Sequence, residues 1–562
     1  MAFELTNFSL DNYLFDKTYL YKLNDNTYFS NNFPIVYIIY DTGKKIAYVG
    51  ESANGTGRIS NHLSNPLKNH LKYIFIISSP LFNKSATLDI ESNLIKYIAA
   101  DGNFSLLNGN AGLVEHNYYQ RNFYFEVFEN IWEKLKLEKV VVKDILAIDN
   151  SDLFKYSPYK SLSIDQKLAV REYLQILLSN EKSTTFIKGS AGTGKTVVAV
   201  YLMKLLLTKF DVEDYEDNES EDIIELELAQ KVQNKYSSLK IAFVVPMKSL
   251  RETLKNVFAN IRGLKKSMVI SPIEASKNEY DILLVDESHR LKRRKSITGY
   301  GDFDKTNRRL GFDNTGTELD WILVKSKNQL FFYDSKQSVR PADVLEEDFE
   351  LIRNAPGTFN LELKSQLRVQ GGLDYIKFVH ALMNSESPHL HGPALHEKYD
   401  LRLYNSLAHL VEDLGQQEKK YGLCRLVAGY SWEWTSRYDE QPDTIIDGIP
   451  LFWNRVPSDW INSTKAMNEM GCIHTTQGYD LNYSGVIFGN EIIFNKETNR
   501  IEIDKAKYFD KKGKQGIDNQ NELHQYILNI YTTLMFRGIK GTYVYVCDDN
   551  LRKYFAKYIN VH

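Results

Sequence analysis

The stretch GSAGTGKT, Gly189 to Thr196, is a glycine-rich run closed by a lysine and a threonine, and it directly follows the apolar run TTFIK. Residue types in that order suit phosphate binding. Gly189, Gly192 and Gly194 let backbone N–H groups close around an anion, and the helix predicted for VVAVYLMKLLL adds positive potential at its N-terminus. Lys195 would meet the β and γ phosphates, and Thr196 would offer its hydroxyl to Mg²⁺. Further along, EYDILLVDESHR delivers Asp286 and Glu287 at the end of an apolar strand. That is the edge where parallel sheets hold ligands. Asp286 suits a Mg²⁺ partner, and Glu287 suits orienting water for attack on a γ-phosphate. The bland alternative is a tight strand-to-helix turn without a ligand.

A second constellation lies near the N-terminus. IVYIIYDTGKKIAYVGES (35–52) predicts two strands around a turn. Centring that turn on Thr42-Gly43 makes Tyr37 and Tyr48 direct cross-strand partners on one face. An aromatic pair stabilising a hairpin is the default reading. Three features argue for chemistry instead. Arg58 and His62 in GRISNHL are spaced i, i+4 and share a helix face. Glu91 in LDIESNLIKYIAA falls on the apolar stripe, an unusual place for a carboxylate unless it is paired or binds metal. Asn108 in LLNGN follows a short apolar stretch, where its amide could tie backbone together.

These residues need two kinds of scaffold. From 35 to 110, strand-like runs (IVYIIY, IAYVG, YIFIIS) alternate with helix-like ones (RISNHLSNPLKNHL, ATLDIESNLIKYIAA), which predicts a small mixed α/β domain over 1–122. A connector follows over 123–160. From 161 the strands are short, apolar and followed by helices: TTFIKG, KIAFVVP, DILLVDE and NQLFFYD, then LVAGYSW, SGVIFG and GTYVYVCD. That rhythm predicts two mainly parallel sheets in tandem, over 161–345 and 346–562.

At 562 residues the chain is too long for one core, and 43% hydrophobic with 25% charged residues excludes wholesale disorder. The net charge of −3 hides local extremes. DVEDYEDNESEDIIELE (211–227) reads as a solvated acidic insertion, whereas HRLKRRK (289–295) is basic enough for Arg290 to Lys295 to line a nucleic-acid face. Cys424, Cys472 and Cys547 are isolated and suit neither a disulfide framework nor a zinc site. The N-terminal stretch MAFELTNFSLDNYLF has no leader pattern and no long apolar run occurs, so a cytoplasmic protein with no membrane partner is expected.

The order LSIDQ (162–166), GSAGTGKT, DESH (286–289), FFYDSKQSVRP (331–341), LKSQLR (363–368), HTTQGYD (474–480) and YTTLMFRGIKGTYVY (531–545) resembles the motif series of superfamily 1 helicases. It is most similar to the Schlafen-like helicases, in which VAGYSWEW (427–434) also has a counterpart. The resemblance implies two RecA-like domains with ATP between them. By it, Gln166 contacts adenine, Gln337 senses the γ-phosphate, and Arg368 and Arg537 come from the second sheet domain to neutralise transition-state charge. Ser335-Lys336 departs from the usual helicase form, so translocation or gated clamping competes with unwinding.

Tyr37, Tyr48, Arg58, His62, Glu91 and Asn108, in that order, resemble the GIY-YIG nuclease family, with Ile35 standing for the first glycine. The resemblance implies that Glu91 binds one Mg²⁺ or Mn²⁺, Arg58 holds the scissile phosphate, and Tyr37, His62 and Tyr48 orient or activate water. Asn108 would be structural. The combined expectation is an ATP-dependent nuclease acting on DNA, or else RNA, with oligomeric state open, and the fusion resembles antiphage defence factors. The alternatives are an ATP-gated nucleic-acid switch that does not cut, and a P-loop signalling scaffold.

Overall fold

The computed structural model describes the chain except residues 1–4, 109–117, 161, 209–221, 237, 335–336, 339, 387, 389–398, 437–440, 456–459, 464–465, 477–478, 516 and 518. Most of the acidic run 211–227 therefore lies outside the described residues, and its end opens the helix Asp222–Lys235. The chain divides into two compact units. The first is Met1–Leu178 with Thr196–Ser237 and Thr253–Met268; the second is Ser179–Lys195 with Ser238–Glu252 and Val269–His562.

In the first unit, β1 (Ser9–Leu14), β2 (Ile35–Asp41), β3 (Ile46–Ser52), β4 (Tyr73–Ser78) and β5 (Ser105–Leu106) form one sheet in the order β1-β4-β2-β3-β5. Every residue of β2 is buried because both faces of the sheet are covered. Val36, Ile38 and Tyr40 share a core with Ile90 and Leu94 of helix Lys84–Asp101 and with Phe128 and Trp132 of helix Arg121–Leu137. Ile35, Tyr37 and Ile39 point the other way, into a core with Ile59 and Leu63 of helix Gly55–Ser64. The period-two alternation of a strand sorts these side chains between the faces. Residues 123–160 are thus no separate connector: Phe128, Ile131, Trp132, Leu135 and Ile148 complete the N-terminal core.

The hairpin register corrects the sequence expectation. Tyr37 pairs with Gly50, and Tyr48 pairs with Ile39. The reason is local: Asp41 Oδ1 accepts the N–H groups of Gly43 and Lys44 at 2.8 and 3.1 Å, and Lys45 closes the loop at φ 52°. This moves the turn centre toward Lys44. Tyr37 and Tyr48 become diagonal neighbours on one face, with ring centroids 6.4 Å apart. The glycine of YVG now has a physical role. A Cβ at Gly50 would sit 2.4 Å from both Cζ and Oη of the fully buried Tyr37. Gly50→Ala is expected to destabilise the protein by ~1–3 kcal/mol through overpacking; an unchanged thermal midpoint would contradict this register.

In the second unit, β6 (Ser183–Gly189), β7 (Ile241–Val244), β8 (Val269–Ile270), β9 (Tyr280–Val285), β10 (Ser326–Tyr333) and β11 (Thr358–Leu363) form a sheet ordered β11-β6-β10-β9-β7-β8. All its pairings are parallel. A seven-stranded sheet follows, built from β12 (Asp400–Tyr404), β13 (Cys424–Ala428), β14 (Thr444–Ile446), β15 (Ile449–Trp453), β16 (Glu469–Gly471), β17 (Leu481–Phe488) and β20 (Gly538–Val546). Its order is β12-β20-β17-β13-β16-β15-β14, parallel except for the β14–β15 edge. Strands β18 (Ile492–Asn495) and β19 (Arg500–Ile503) make a separate ribbon. The boundary expected at 345/346 is displaced: β11 returns to pair with β6, so the first sheet ends at Leu363.

Candidate functional site

The first sheet brings the phosphate-loop residues and the acidic pair to one edge. β6 runs into Gly189 and β9 into Asp286, with β10 between them. Gly192 and Gly194 take φ values of 85° and 77°, which only glycine adopts readily. Lys195, 6% exposed, donates from Nζ to the carbonyls of Gly189 at 2.7 Å and Ser190 at 3.0 Å. It also lies 4.0 Å from Asp334, whose carboxylate accepts Gln337 Nε2–H at 2.7 Å. Asp286 is fully buried, and Thr196 lies in the first turn of helix Lys195–Leu207.

Glu287 holds a left-handed backbone, φ 47°, in a region that side-chain-bearing residues rarely occupy. Its Oε2 lies 2.9 Å from His289 Nε2. Burial raises its carboxyl pKa, but His289, then Lys195 and Arg537, more than offset this and hold it well below the usual range. Glu287 is therefore an acceptor at neutral pH, as water orientation requires.

The arginines arrive by different routes. Arg537 lies between helix Gln520–Met535 and β20, is 2% exposed, and donates from Nη1 to the Tyr479 carbonyl at 3.2 Å. Arg368 does not come from the second sheet as expected. It follows β11 at the exit from the first sheet, and its Nε is 2.5 Å from Asp480. Gln366, which the sequence reading did not single out, donates from Nε2 to Ala191 O at 2.6 Å, and Leu367 N–H reaches Gly192 O at 3.0 Å. The LKSQLR segment thus grips the phosphate loop directly. Gln166 is buried on helix Ile164–Ser179 in the other compact unit, where its Oε1 accepts the Ser163 N–H at 3.0 Å.

Several of the N-terminal residues gather near Tyr37, whose hydroxyl feels the charges of Arg58, Glu91 and Glu51. Glu91 is 8% exposed, and its Oε2 has no hydrogen-bond partner. Burial, and then the nearby Glu51 charge, push its carboxyl up to about 8 against the pull of Lys84 and Arg58. Glu51 itself pairs with Lys84 and accepts Thr87 Oγ1–H at 3.3 Å. An orphaned buried carboxylate oxygen is what a cation-binding residue presents before it binds. Among the described residues no group of three or more His, Cys, Asp or Glu side chains is placed to hold a metal.

The Tyr37 environment has a definite polarity. Lys68, 1% exposed, places Nζ 3.3 Å from His62 Nδ1 and 3.8 Å from the Tyr48 ring centroid. An ammonium only donates, so Nδ1 is the acceptor. Burial, then Lys68 and Arg58, push His62 down to about 2, which leaves the ring neutral with its single N–H on Nε2. That N–H donates to the Tyr37 oxygen at 2.8 Å, and Arg58 hydrogen-bonds the same hydroxyl. His62 is thus a donor to Tyr37, not its base. Burial raises the Tyr37 pKa well above its ordinary value, with Arg58 opposing. With two donors on its oxygen, the phenol proton is directed to an outside acceptor. Asn108 spans the Val49 backbone, accepting its N–H at 3.0 Å and donating to its carbonyl at 2.8 Å, so its amide continues the β3–β5 pairing beyond its last bridge, Ala47 to Leu106. Lys68 carried no sequence signal, because a lysine after a helix ordinarily reads as solvated.

The basic run is largely consumed within the protein. Arg290 forms a buried pair with Asp343 at 2.7 Å, Arg294 pairs with Asp304 at 2.6 Å, and Arg293 donates to the Pro341 carbonyl at 2.9 Å. Lys292 instead lines a cavity of about 230 Å³ with Arg340, Tyr430, His474 and Asp510. The hydroxyls of Thr475 and Thr476 both reach Cys472 O. No helix among the described residues is long and apolar enough to cross a membrane.

An uncharacterized protein of Saccharomyces cerevisiae, YPL245W, is 25% identical over 400 residues, covering 65% of this chain and 82% of the yeast protein. Among solved structures, the Pif1 helicase from Candida albicans matches at 11% identity and a TM-score of 0.27, over 71% of this chain and 99% of that one. The arterivirus nonstructural protein 10 helicase matches at 10% identity and 0.27, over 68% of this chain and 63% of that one. The Schlafen group 3, DNA/RNA helicase domain matches residues 182–548, well over half of the chain and all of the motifs from the phosphate loop to Arg537. With the phosphate loop, the acidic pair and both arginines in that span, the chain belongs to the Schlafen group 3 helicase-domain family.

Proposed function

We propose that this protein is an ATP hydrolase acting on nucleic acid, DNA in the first instance and RNA in the second, whose N-terminal unit is a metal-dependent nuclease of the GIY-YIG kind. The observation that carries the cleavage half is the buried Glu91 oxygen without a partner, close enough to Tyr37 and Arg58 for their charges to act on one another, with His62 on the Tyr37 hydroxyl. Family membership and the phosphate-loop edge support the ATPase half.

In this reading Lys195 and the loop N–H groups bind the β and γ phosphates, with Thr196 and Asp286 as the Mg²⁺ residues. Glu287 orients the attacking water, Gln337 senses the γ-phosphate through Asp334, and Gln166 contacts adenine. Arg368 and Arg537 neutralise the charge that develops on phosphoryl transfer. In the N-terminal unit Glu91 would hold a Mg²⁺ or Mn²⁺, which when bound polarises the scissile phosphate as a Lewis acid. Arg58 binds that phosphate, while Tyr37, its oxygen held by His62 and Arg58, directs its proton to water or to the substrate. Tyr48 packs edge-on against His62 at a ring separation of 5.0 Å, with the Tyr37 ring 6.4 Å away. A cytoplasmic role in defence against foreign nucleic acid is the biological setting this combination suits.

The test is a cleavage panel over single-stranded, duplex and branched DNA and RNA, with and without Mg²⁺, Mn²⁺ and ATP. Metal-dependent products and polynucleotide-stimulated ATP turnover are expected. Substrates left intact under every metal condition reduce the protein to an ATP-gated binding switch, and turnover indifferent to polynucleotide favours a signalling scaffold.

A further inference from the structure

Helix Lys195–Leu207 begins at the phosphate-loop lysine and carries Lys204 into the first compact unit. Lys204 is only 2% exposed. Its Nζ lies 2.9 Å from the Tyr159 hydroxyl and 4.4 Å from the centroid of that ring, and it donates to the backbone carbonyl of Asn108 at 3.3 Å. Asn108 in turn holds both backbone groups of Val49 through its side chain. Val49 lies between Tyr48 and Gly50, and Gly50 is the residue against which Tyr37 packs. A continuous path of hydrogen bonds and covalent backbone therefore runs from the phosphate-loop helix to the tyrosines.

A buried lysine is an expensive way to fill this position. Its neighbours on the helix, Leu202, Met203, Leu205 and Leu206, are apolar and fully or almost fully buried, so a methionine or leucine at 204 would suit the same environment. Burial, and then Arg262, push the Lys204 ammonium down to about 7, a measure of how unfavourable the charge is there. What an apolar residue could not do is hold the Asn108 carbonyl. Coupling between sites travels through contacts of this kind only when an element has two arrangements that each site biases, and a helix anchored on a phosphate loop is a natural one.

We propose that Lys204 is a positioning residue that transmits the nucleotide state of the phosphate loop to the Tyr37–Tyr48 cleavage site through Asn108 and Val49. The proposal rests on the ATP-dependent nuclease reading and names the physical connection between its two halves. Nucleotide at the loop shifts the helix, the shift is passed to the Asn108 carbonyl, and the amide ladder on Val49 tightens or slackens the strand that carries Tyr48 and Gly50.

Hydrogen exchange measured on the full chain, with and without a non-hydrolysable ATP analogue, tests this without requiring cleavage. In the wild type the analogue is expected to change exchange in peptides spanning 46–52 and 105–108. Lys204→Met should abolish that change while ATP turnover stays near the wild-type rate, and Tyr159→Phe, which removes one partner of Lys204 without altering the helix, should weaken it. Where cleavage is measured, its stimulation by ATP should fall about tenfold in Lys204→Met, within the usual range of coupling energies. A Lys204→Met protein that turns over ATP and still shows the full response at 46–52 overturns the proposal. So does a wild type that binds the analogue with no response there, an outcome that leaves the ATPase and nuclease reading standing. Failure of the reading itself looks different: no nucleotide binding at all, or no cleavage of any substrate.

Discussion

Lys195→Ala is expected to lower ATP turnover by about 10²–10³-fold, the usual effect of removing one preorganised charge from a phosphoryl-transfer site. The size follows from where Lys195 sits. It is almost wholly buried, bonded to the Gly189 and Ser190 carbonyls, and within 4.0 Å of Asp334. Alanine removes the only side-chain cation of the GSAGTGKT run, and it also takes a positive charge from beside the buried Asp334, which keeps its bond from the Gln337 amide. Lys195→Arg separates the two effects: it keeps the charge near Asp334 but does not fit between two loop carbonyls, so turnover should still drop while thermal stability is held. Steady-state hydrolysis with and without polynucleotide, beside a thermal melt of each variant, is the measurement. Turnover within a few-fold of wild type in Lys195→Ala would remove the phosphate loop from the reaction.

The second large effect is expected at Glu91. Glu91→Gln keeps the volume of the buried side chain but takes away the carboxylate that a cation needs. Cleavage should fall by about a thousandfold, equivalent to ~4 kcal/mol of transition-state stabilisation. Mn²⁺ binding, followed by the paramagnetic signal of the free ion, should weaken in parallel. ATP turnover should be untouched, since the phosphate-loop machinery contains none of the N-terminal residues. A variant that still cuts at the wild-type rate, or that binds Mn²⁺ as well as the wild type, would show that the orphaned Glu91 oxygen serves the fold instead. The neutral glutamine is the more informative replacement, because alanine would add a cavity beside Tyr37 and Arg58 and confound chemistry with packing.

Several placements were corrected by contacts distant in sequence. Arg368 was expected from the second sheet, and it emerges instead from the last strand of the first, held by Asp480. The run from Arg290 to Lys295 was expected to line a nucleic-acid face, yet Asp343, Pro341 and Asp304 take up the guanidinium groups of Arg290, Arg293 and Arg294. A buried charge such as that of Arg290 must be paired, and its partner Asp343 lies 53 residues away, where composition gives no warning. Lys68 and Lys204 escaped for the same reason from the other side. A lone lysine in a sequence is ordinarily solvated, and only three-dimensional neighbours make it a donor to His62 or to the Asn108 carbonyl.

What the sequence determined by itself was whatever depends on short-range geometry. The phosphate loop needs glycines at positive φ between a strand and a helix, and that requirement is written in adjacent residues. The parallel strands were legible because they are short apolar runs, and Glu91 was legible because a carboxylate on an apolar helical stripe violates the pattern around it. The tertiary structure decided register, boundary and partnership. An Asx turn at Asp41 and a left-handed Lys45 shifted the hairpin by one step, so that Tyr37 lies against Gly50 and not against Tyr48. Strand β11 joined the first sheet because its backbone groups found partners on β6, a pairing across the whole domain that no local pattern encodes. Local propensity chooses the elements; which donor meets which acceptor is settled only when long-range burial forces every polar group to find a partner.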